Sequence, residues 1–167
     1  MKKYTICFTG HRPKGLPWGY NENTRDCLKF KQYIKELIIQ KIGEGYNYFI
    51  VGMALGIDII IVEILLELKQ EYDIIIECAI PCLNQECKWS ISQQKRYKDI
   101  LMVCDKITYV SKEYTIDCMK KRNEYMVDNS DLVIAIWNGT PSGTLNTIKY
   151  AKSKDIKTII IDVNKYK

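Results

Sequence analysis

At 167 residues, with 47% hydrophobic and 27% charged side chains, the chain has the size and balance of one folded domain with its own core. Its longest apolar run, Ile57 to Leu66, is too short for a membrane span and is broken by Asp58 and Glu63. The net charge of +5 is spread along the chain, with no basic block beyond Lys120-Lys121-Arg122; it permits a phosphate-bearing small molecule and disfavours nucleic acid as partner.

Two lysines open the chain and lead directly into a strand-like run, with no apolar segment and small-residue cleavage site of a secretory signal. A cytoplasmic protein is expected. Short β-branched runs then recur at Tyr4–Thr9, Tyr48–Val51, Asp73–Ile80, Lys106–Val110, Leu132–Trp137 and Thr158–Val163. Between them lie segments of helical spacing. Thr24 to Ile42 places Leu28, Tyr33, Ile34, Leu37 and Ile38 on one side and ends at Gly43 and Gly45. Ile57 to Lys69 is apolar nearly all round, as for a helix packed deep against a sheet. Trp89–Val103, Thr115–Val127 and Thr144–Lys154 follow.

This alternation predicts an α/β, Rossmann-like three-layer sandwich: a mostly parallel sheet of about six strands with helices on both faces, in one domain over 1–167. Seven cysteines, an odd and scattered set, suit reduced thiols rather than a disulfide framework. Cys78, Cys82 and Cys87 cluster, but their spacing and the single histidine do not fit zinc, so neither metal nor cofactor is expected.

In open α/β sheets ligands sit beyond the carboxyl ends of the strands, so the loops leaving each strand are the informative ones. Thr9-Gly10-His11-Arg12-Pro13 leaves the first strand. Gly10 would let backbone amides approach a ligand, Arg12 could fork onto a phosphate, and His11 could donate a hydrogen bond or move a proton. Trp18, just beyond, either stacks on a base or covers the core. The second loop, Gly52-Met53-Ala54-Leu55-Gly56-Ile57-Asp58, opens a helix whose N–H groups would make an anion site, with Asp58 placed to accept from a ribose hydroxyl. The third, Asn138-Gly139-Thr140-Pro141-Ser142-Gly143-Thr144, followed by Thr147, has the glycines and hydroxyls of a phosphate cradle. Gln85 and Trp89 after the third strand, and Arg122 and Asn123 on the fourth helix, are further candidates for a ligand or a partner subunit.

Gly52-Met53-Ala54-Leu55-Gly56-Ile57-Asp58 resembles the G-x-A-x-G-I-D motif of the SLOG superfamily, which includes the DNA-processing protein DprA (SMF) and the lonely-guy enzymes. Ser142-Gly143-Thr144-Leu145-Asn146-Thr147 resembles its second motif, S-G-[ST]-L-x-T in the DprA branch. The small YpsA-like group is similar along nearly the whole chain, through Thr9-Gly10-His11-Arg12-Pro13, Leu16-Pro17-Trp18-Gly19, Lys88-Trp89 and Arg122-Asn123 among others. The resemblance implies a Rossmann-like fold and a ligand of the nucleotide, nucleotide-sugar or NAD-derivative class. Lonely-guy enzymes, which cleave the N-glycosidic bond of nucleoside monophosphates, carry G-G-x-G-T-x-x-E in the second loop. Aligned on Gly143-Thr144, their glutamate falls on Thr147, and a hydroxyl does not replace a carboxylate beside a developing oxocarbenium ion.

The expectation is therefore a binding module for a small nucleotide-type ligand, a sensor or sequestering protein. Gly10, Arg12, Gly52, Gly56, Gly139, Gly143 and Thr144 would hold the phosphates, Asp58 a ribose, and Trp18 or Trp89 a base, with Met53 a further ligand-binding candidate. The alternatives are an N-glycosidic hydrolase or transferase with Asp58 or His11 as acid/base, and, more weakly, single-stranded DNA binding as in DprA. Homo-oligomerisation is left open.

Overall fold

In the computed structural model, which describes residues 4–166, the chain forms one six-stranded sheet with every pairing parallel. In chain order the elements are β1 (Tyr4–Gly10), α1 (Arg25–Gly43), β2 (Tyr46–Val51), α2 (Ile57–Leu68), β3 (Ile75–Ile80), α3 (Ile91–Val103), β4 (Lys106–Tyr109), α4 (Cys118–Asp128), β5 (Leu132–Trp137), α5 (Gly143–Ser153) and β6 (Lys157–Asp162). Short 3₁₀ turns occupy Pro13–Gly15 and Val163–Tyr166. The predicted strands and helices are all present, with ends within about three residues of their expected places.

The strands are apolar on both faces because helices cover both. Ile6 and Phe8 of β1 face a cluster with Phe30, Ile34 and Ile38 of α1, the isoleucines of α2, and Tyr97 and Ile100 of α3. Cys7, between them, faces the opposite cluster with Met126 and Val127 of α4 and Ala151 of α5. This is the two-residue period of a strand read against two helical layers. Helix α2 packs between α1 and α3 and against β1, β2 and β3, which is why its exposed polar side is narrow, Glu63 and Glu67 one turn apart. Each isoleucine fully buried there contributes about 1.5–3 kcal/mol of transfer free energy.

Helix starts are fixed locally. Thr24 caps α1 by accepting the Cys27 N–H at 3.2 Å, Ser90 caps α3 through the Gln93 N–H at 3.3 Å, and Ser142 caps α5 through the Leu145 N–H at 3.3 Å. Strand order is β4-β3-β2-β1-β5-β6, so the direction of winding reverses between β1 and β5. β1 feeds α1 on one face and β5 feeds α5 on the other. A crevice opens where those two connections part. Among the described residues no helix is long and apolar enough to cross a membrane.

Candidate functional site

At that crevice lies a cleft of about 370 Å³. The end of β1 contributes Gly10, His11 and Arg12, and the β2–α2 loop contributes Ala54 and Asp58. Met119, Arg122 and Asn123 come from α4, and Ser142, Gly143 and Thr144 from the start of α5. Nine sequence candidates are thus brought together from four segments of the chain. The volume falls within the range of small-ligand sites.

The α5 end keeps the chemistry expected of it. Ser142 engages only one first-turn amide, and the remaining N–H groups of that turn have no partner inside the helix. A Cβ at Gly143 would meet nothing within 4 Å, so this position opens to the cleft. An anion here would meet amides, the positive end of the helix dipole and the exposed Arg12 across the cleft.

The other glycine loops act differently. A Cβ on Gly10 would lie 2.5 Å from the Ile57 side chain, and one on Gly56, at φ +96°, would lie 2.4 Å from the His11 carbonyl oxygen. The Ile57 N–H donates to that same oxygen at 3.1 Å. The start of α2 is therefore docked onto the β1 loop, whose His11 carbonyl takes the Ile57 N–H. Gly52 also lies outside the cleft lining: its carbonyl accepts from Arg122 Nη1, and a Cβ would touch that guanidinium at 2.7 Å. Met53 sits at φ +63° with its side chain fully buried, and Gln85 Nε2 donates to its carbonyl at 3.3 Å. Glycine and methionine in this loop shape the floor beneath the site.

His11 joins two loops. Its Nε2 accepts the Asn138 N–H at 2.9 Å, and Asn138 Nδ2 donates to the Gly15 carbonyl at 3.1 Å. Burial lowers the His11 pKa from its ordinary value, consistent with a neutral ring. With Nε2 engaged as an acceptor, His11 braces the two loops. Asn138 and Gly139 likewise build the turn after β5: Asn138 Oδ1 accepts from Thr140 N–H at 3.0 Å, and Gly139 adopts φ +88°. Thr147 Oγ1 donates to the Gly143 carbonyl at 3.0 Å within α5.

Neither tryptophan lines this cleft. Trp18 is buried against Phe30, with ring centroids 5.3 Å apart. Trp89 stands edge-on to Tyr97 beside a hollow of about 80 Å³ that shares Arg12, Ala54 and Met119 with the cleft and is also lined by Gln85.

Two buried charges define the cleft's electrostatics. Asp58 is 7% exposed; Oδ2 accepts the Ala54 N–H at 3.2 Å, while Oδ1 is buried with no hydrogen-bond partner among the described residues. Burial raises its pKa, opposed by the positive charges of Arg122 and Arg12. Arg122, 4% exposed, donates to the Gly52 carbonyl and through Nε to Asn123 Oδ1 at 2.8 Å. Burial lowers its pKa while Asp58 counters the effect. A hydroxyl donor facing Asp58 and an anion near Arg12 and α5 would satisfy both ends.

A second groove, about 540 Å³, runs between α4 and α5 and shares Met119, Asn123 and Gly143 with the cleft. Asn146, Lys149 and Tyr150 line it, as does Thr147. Thr147 is a sequence candidate, as are Asn123 and Gly143 where the groove meets the cleft; the others carry no sequence signal. The groove residues lie one helical turn apart on two helices, a spacing shared with any solvent-facing stripe. Among the described residues no group of three or more histidine, cysteine or carboxylate side chains could hold a metal.

Residues 6–165 match the family model YpsA, described as the YspA SLOG family. Among curated relatives, the uncharacterized SPbeta prophage-derived protein YoqJ of Bacillus subtilis (strain 168) is 34% identical, over 75% of this chain and 81% of its own. A UPF0398 protein of Halalkalibacterium halodurans is 27% identical over 90% of this chain and 82% of its own. The UPF0398 protein YpsA of B. subtilis is 23% identical over 90% and 87%. A solved structure of DNA processing protein A from Helicobacter pylori, described for its single-stranded DNA binding mode, superposes with a TM-score of 0.64. At 17% identity over 97% of this chain and 70% of that one, the likeness establishes a common fold.

Proposed function

The chain belongs to the YspA SLOG family, and on that premise we propose that it binds a small nucleotide or nucleotide-derived molecule as a sensor or sequestering module. A phosphate lies over the first turn of α5 at Gly143 and Thr144, with Arg12 as its charged partner, and a sugar hydroxyl donates to Asp58. The observation that carries this reading is Asp58 Oδ1, an acceptor buried in the wall of the cleft with no partner among the described residues. Burying an acceptor without a partner costs about 1–3 kcal/mol, which a ligand hydroxyl would recover on binding. The test is calorimetric titration of AMP, ribose 5-phosphate and ADP-ribose, with chromatography of the mixtures. Saturable binding without new products supports a binding module; no binding by any of the three removes it.

A carboxyl held in a cleft with raised proton affinity is also what a general acid requires, which favours a second reading: a hydrolase or transferase at an N-glycosidic bond, with Asp58 as the acid. Free base released by wild type and absent with Asp58→Asn would establish it. The fold shared with H. pylori DNA processing protein A also removes the ground for setting nucleic acid aside on charge alone. Strand binding would tighten with oligonucleotide length and weaken steeply with salt, whereas a mononucleotide site would do neither.

A further inference from the structure

We propose that Cys104 and Cys78 form a redox-modification site for a small hydroperoxide: Cys104 takes up one peroxide oxygen, and Cys78 then closes an internal disulfide. The site stands apart from the nucleotide-binding reading above and does not rest on it.

The fold brings the two thiols together. Cys78 lies on β3, fully buried in the apolar cluster beneath α3. Cys104 follows the last turn of α3 and is only partly buried, packed against that same cluster. The Asp105 N–H donates to the Ile76 carbonyl at 3.0 Å, which pins the exit of α3 beside β3, two residues before Cys78. Helix α3 returns the chain to the start of a strand parallel to β3, so Cys104 lies at the end of the sheet away from the cleft.

The thiols hydrogen-bond to each other. Cys104 Sγ also lies 3.5 Å from the Leu101 carbonyl oxygen and 3.7 Å from that of Lys106, so its proton is directed to the backbone and its lone pairs are left to accept from Cys78. That bond holds the Cys104 pKa below the ordinary thiol value, against its partial burial. The same bond, with burial, pushes the Cys78 thiol up. Cys104 is therefore both the thiol that ionises first and the one that solvent reaches, and Cys78 waits behind it. An accessible thiolate beside a resolving cysteine is the arrangement that oxidation selects. Cys82 and Cys118 are also neighbours, but both are buried, so neither meets an oxidant first.

The chemistry closes with hydrogen peroxide as the oxidant. The Cys104 thiolate attacks one oxygen; the S–O bond forms, the O–O bond breaks, and hydroxide leaves to become water with the proton Cys104 gave up. Cys78 sulfur then attacks the sulfenic sulfur; the S–S bond forms, the S–O bond breaks, and a second water leaves with the Cys78 proton. Two thiols lose two electrons in all, and the peroxide gains them.

The test is stoichiometric hydrogen peroxide on the reduced chain, followed by peptide mapping without reductant. Wild type should lose about 2 Da, carried by one linked pair of peptides that contain Cys78 and Cys104, and dithiothreitol should restore the mass. Cys104→Ser should give no such link. Cys78→Ala should leave Cys104 as a sulfenic acid that dimedone traps, with circular dichroism confirming that the variant is folded. Exposed Cys87 is the internal reference for a thiol that oxidises through access alone. Oxidation confined to Cys87, a link between Cys82 and Cys118 in place of the predicted one, or Cys104 passing to sulfinic acid in wild type without a link would each overturn the site.

Discussion

His11 Nε2 accepts the Asn138 backbone N–H at 2.9 Å, tying the loop after β1 to the loop after β5 across the point where the sheet reverses direction. Because burial lowers the pKa of this ring, its contribution to stability is present above the ordinary histidine pKa and is lost as pH falls through the depressed value. It is the only histidine in the chain, so the acid-side signal has one source among histidines. Thermal unfolding should show Tm falling as pH drops below about 6.5, the ordinary histidine value, in wild type. His11→Gln, which keeps an acceptor near the same place, should flatten that fall. His11→Ala should lower Tm at every pH through loss of the bond, worth about 0.5–1.5 kcal/mol, and of packing.

Two glycines in similar motifs should respond in opposite ways. Gly56→Ala forces a Cβ to within 2.4 Å of the His11 carbonyl at φ +96°, and should destabilise by about 1–3 kcal/mol or more. Gly143→Ala meets open space, should leave Tm unchanged, and should weaken phosphate-bearing ligands because the methyl group intrudes where the anion would lie. Chemical denaturation of both variants, with ligand titration of the second, checks the pair.

Asp58 should be a residue that costs stability and supports binding. Its folded pKa is raised, so the group stabilises the fold fully only below its unfolded pKa, and that contribution is lost as pH rises through the folded value. Asp58→Asn removes the charge and keeps an acceptor for the Ala54 N–H. The ligand-free variant should melt above wild type at neutral pH, by about 2–4 °C per kcal/mol, with the gain vanishing in acid. Its ADP-ribose affinity should fall by about tenfold or more, as for a lost hydrogen bond to a charged group. ADP-ribose affinity of wild type should also fall as the carboxyl protonates, and differential scanning fluorimetry across pH with and without ligand reads both effects.

Much of the fold was legible because two periods alternate: β5 was placed at Leu132–Trp137 from its apolar run, and α2 from an apolar stretch too long for a strand. The cleft's location followed from topology, and Arg12, Asp58, Gly143 and Thr144 from loop chemistry. What the sequence could not separate was a glycine that admits an anion from one that admits a neighbouring loop, since both require a missing Cβ. Gly10 and Gly56 make room for α2 and the β1 loop, whereas Gly143 faces open space. Trp18 was equally ambiguous, because an indole near a ligand edge and one closing the core look alike until Phe30 is seen beneath it. The α4–α5 groove depends on how two helices pack, which no local pattern records.

The tryptophans provide a fourth check. Trp18→Ala should cost about 3–5 kcal/mol, as for a buried aromatic, and alter ligand affinity only through stability. Trp89→Ala, half-buried and outside the cleft lining, should cost less and leave AMP affinity unchanged. Urea unfolding and AMP titration of the two variants separate core from platform.

The most direct measurement is residue-resolved NMR of the backbone amides during titration with ribose 5-phosphate. Saturable shifts centred on Gly10, Gly143 and Thr144, which need about tenfold more ligand or above in Asp58→Asn, are the predicted result. Shifts that are absent, or that gather around the α2 start or the β4 edge while these amides stay still, would contradict the account.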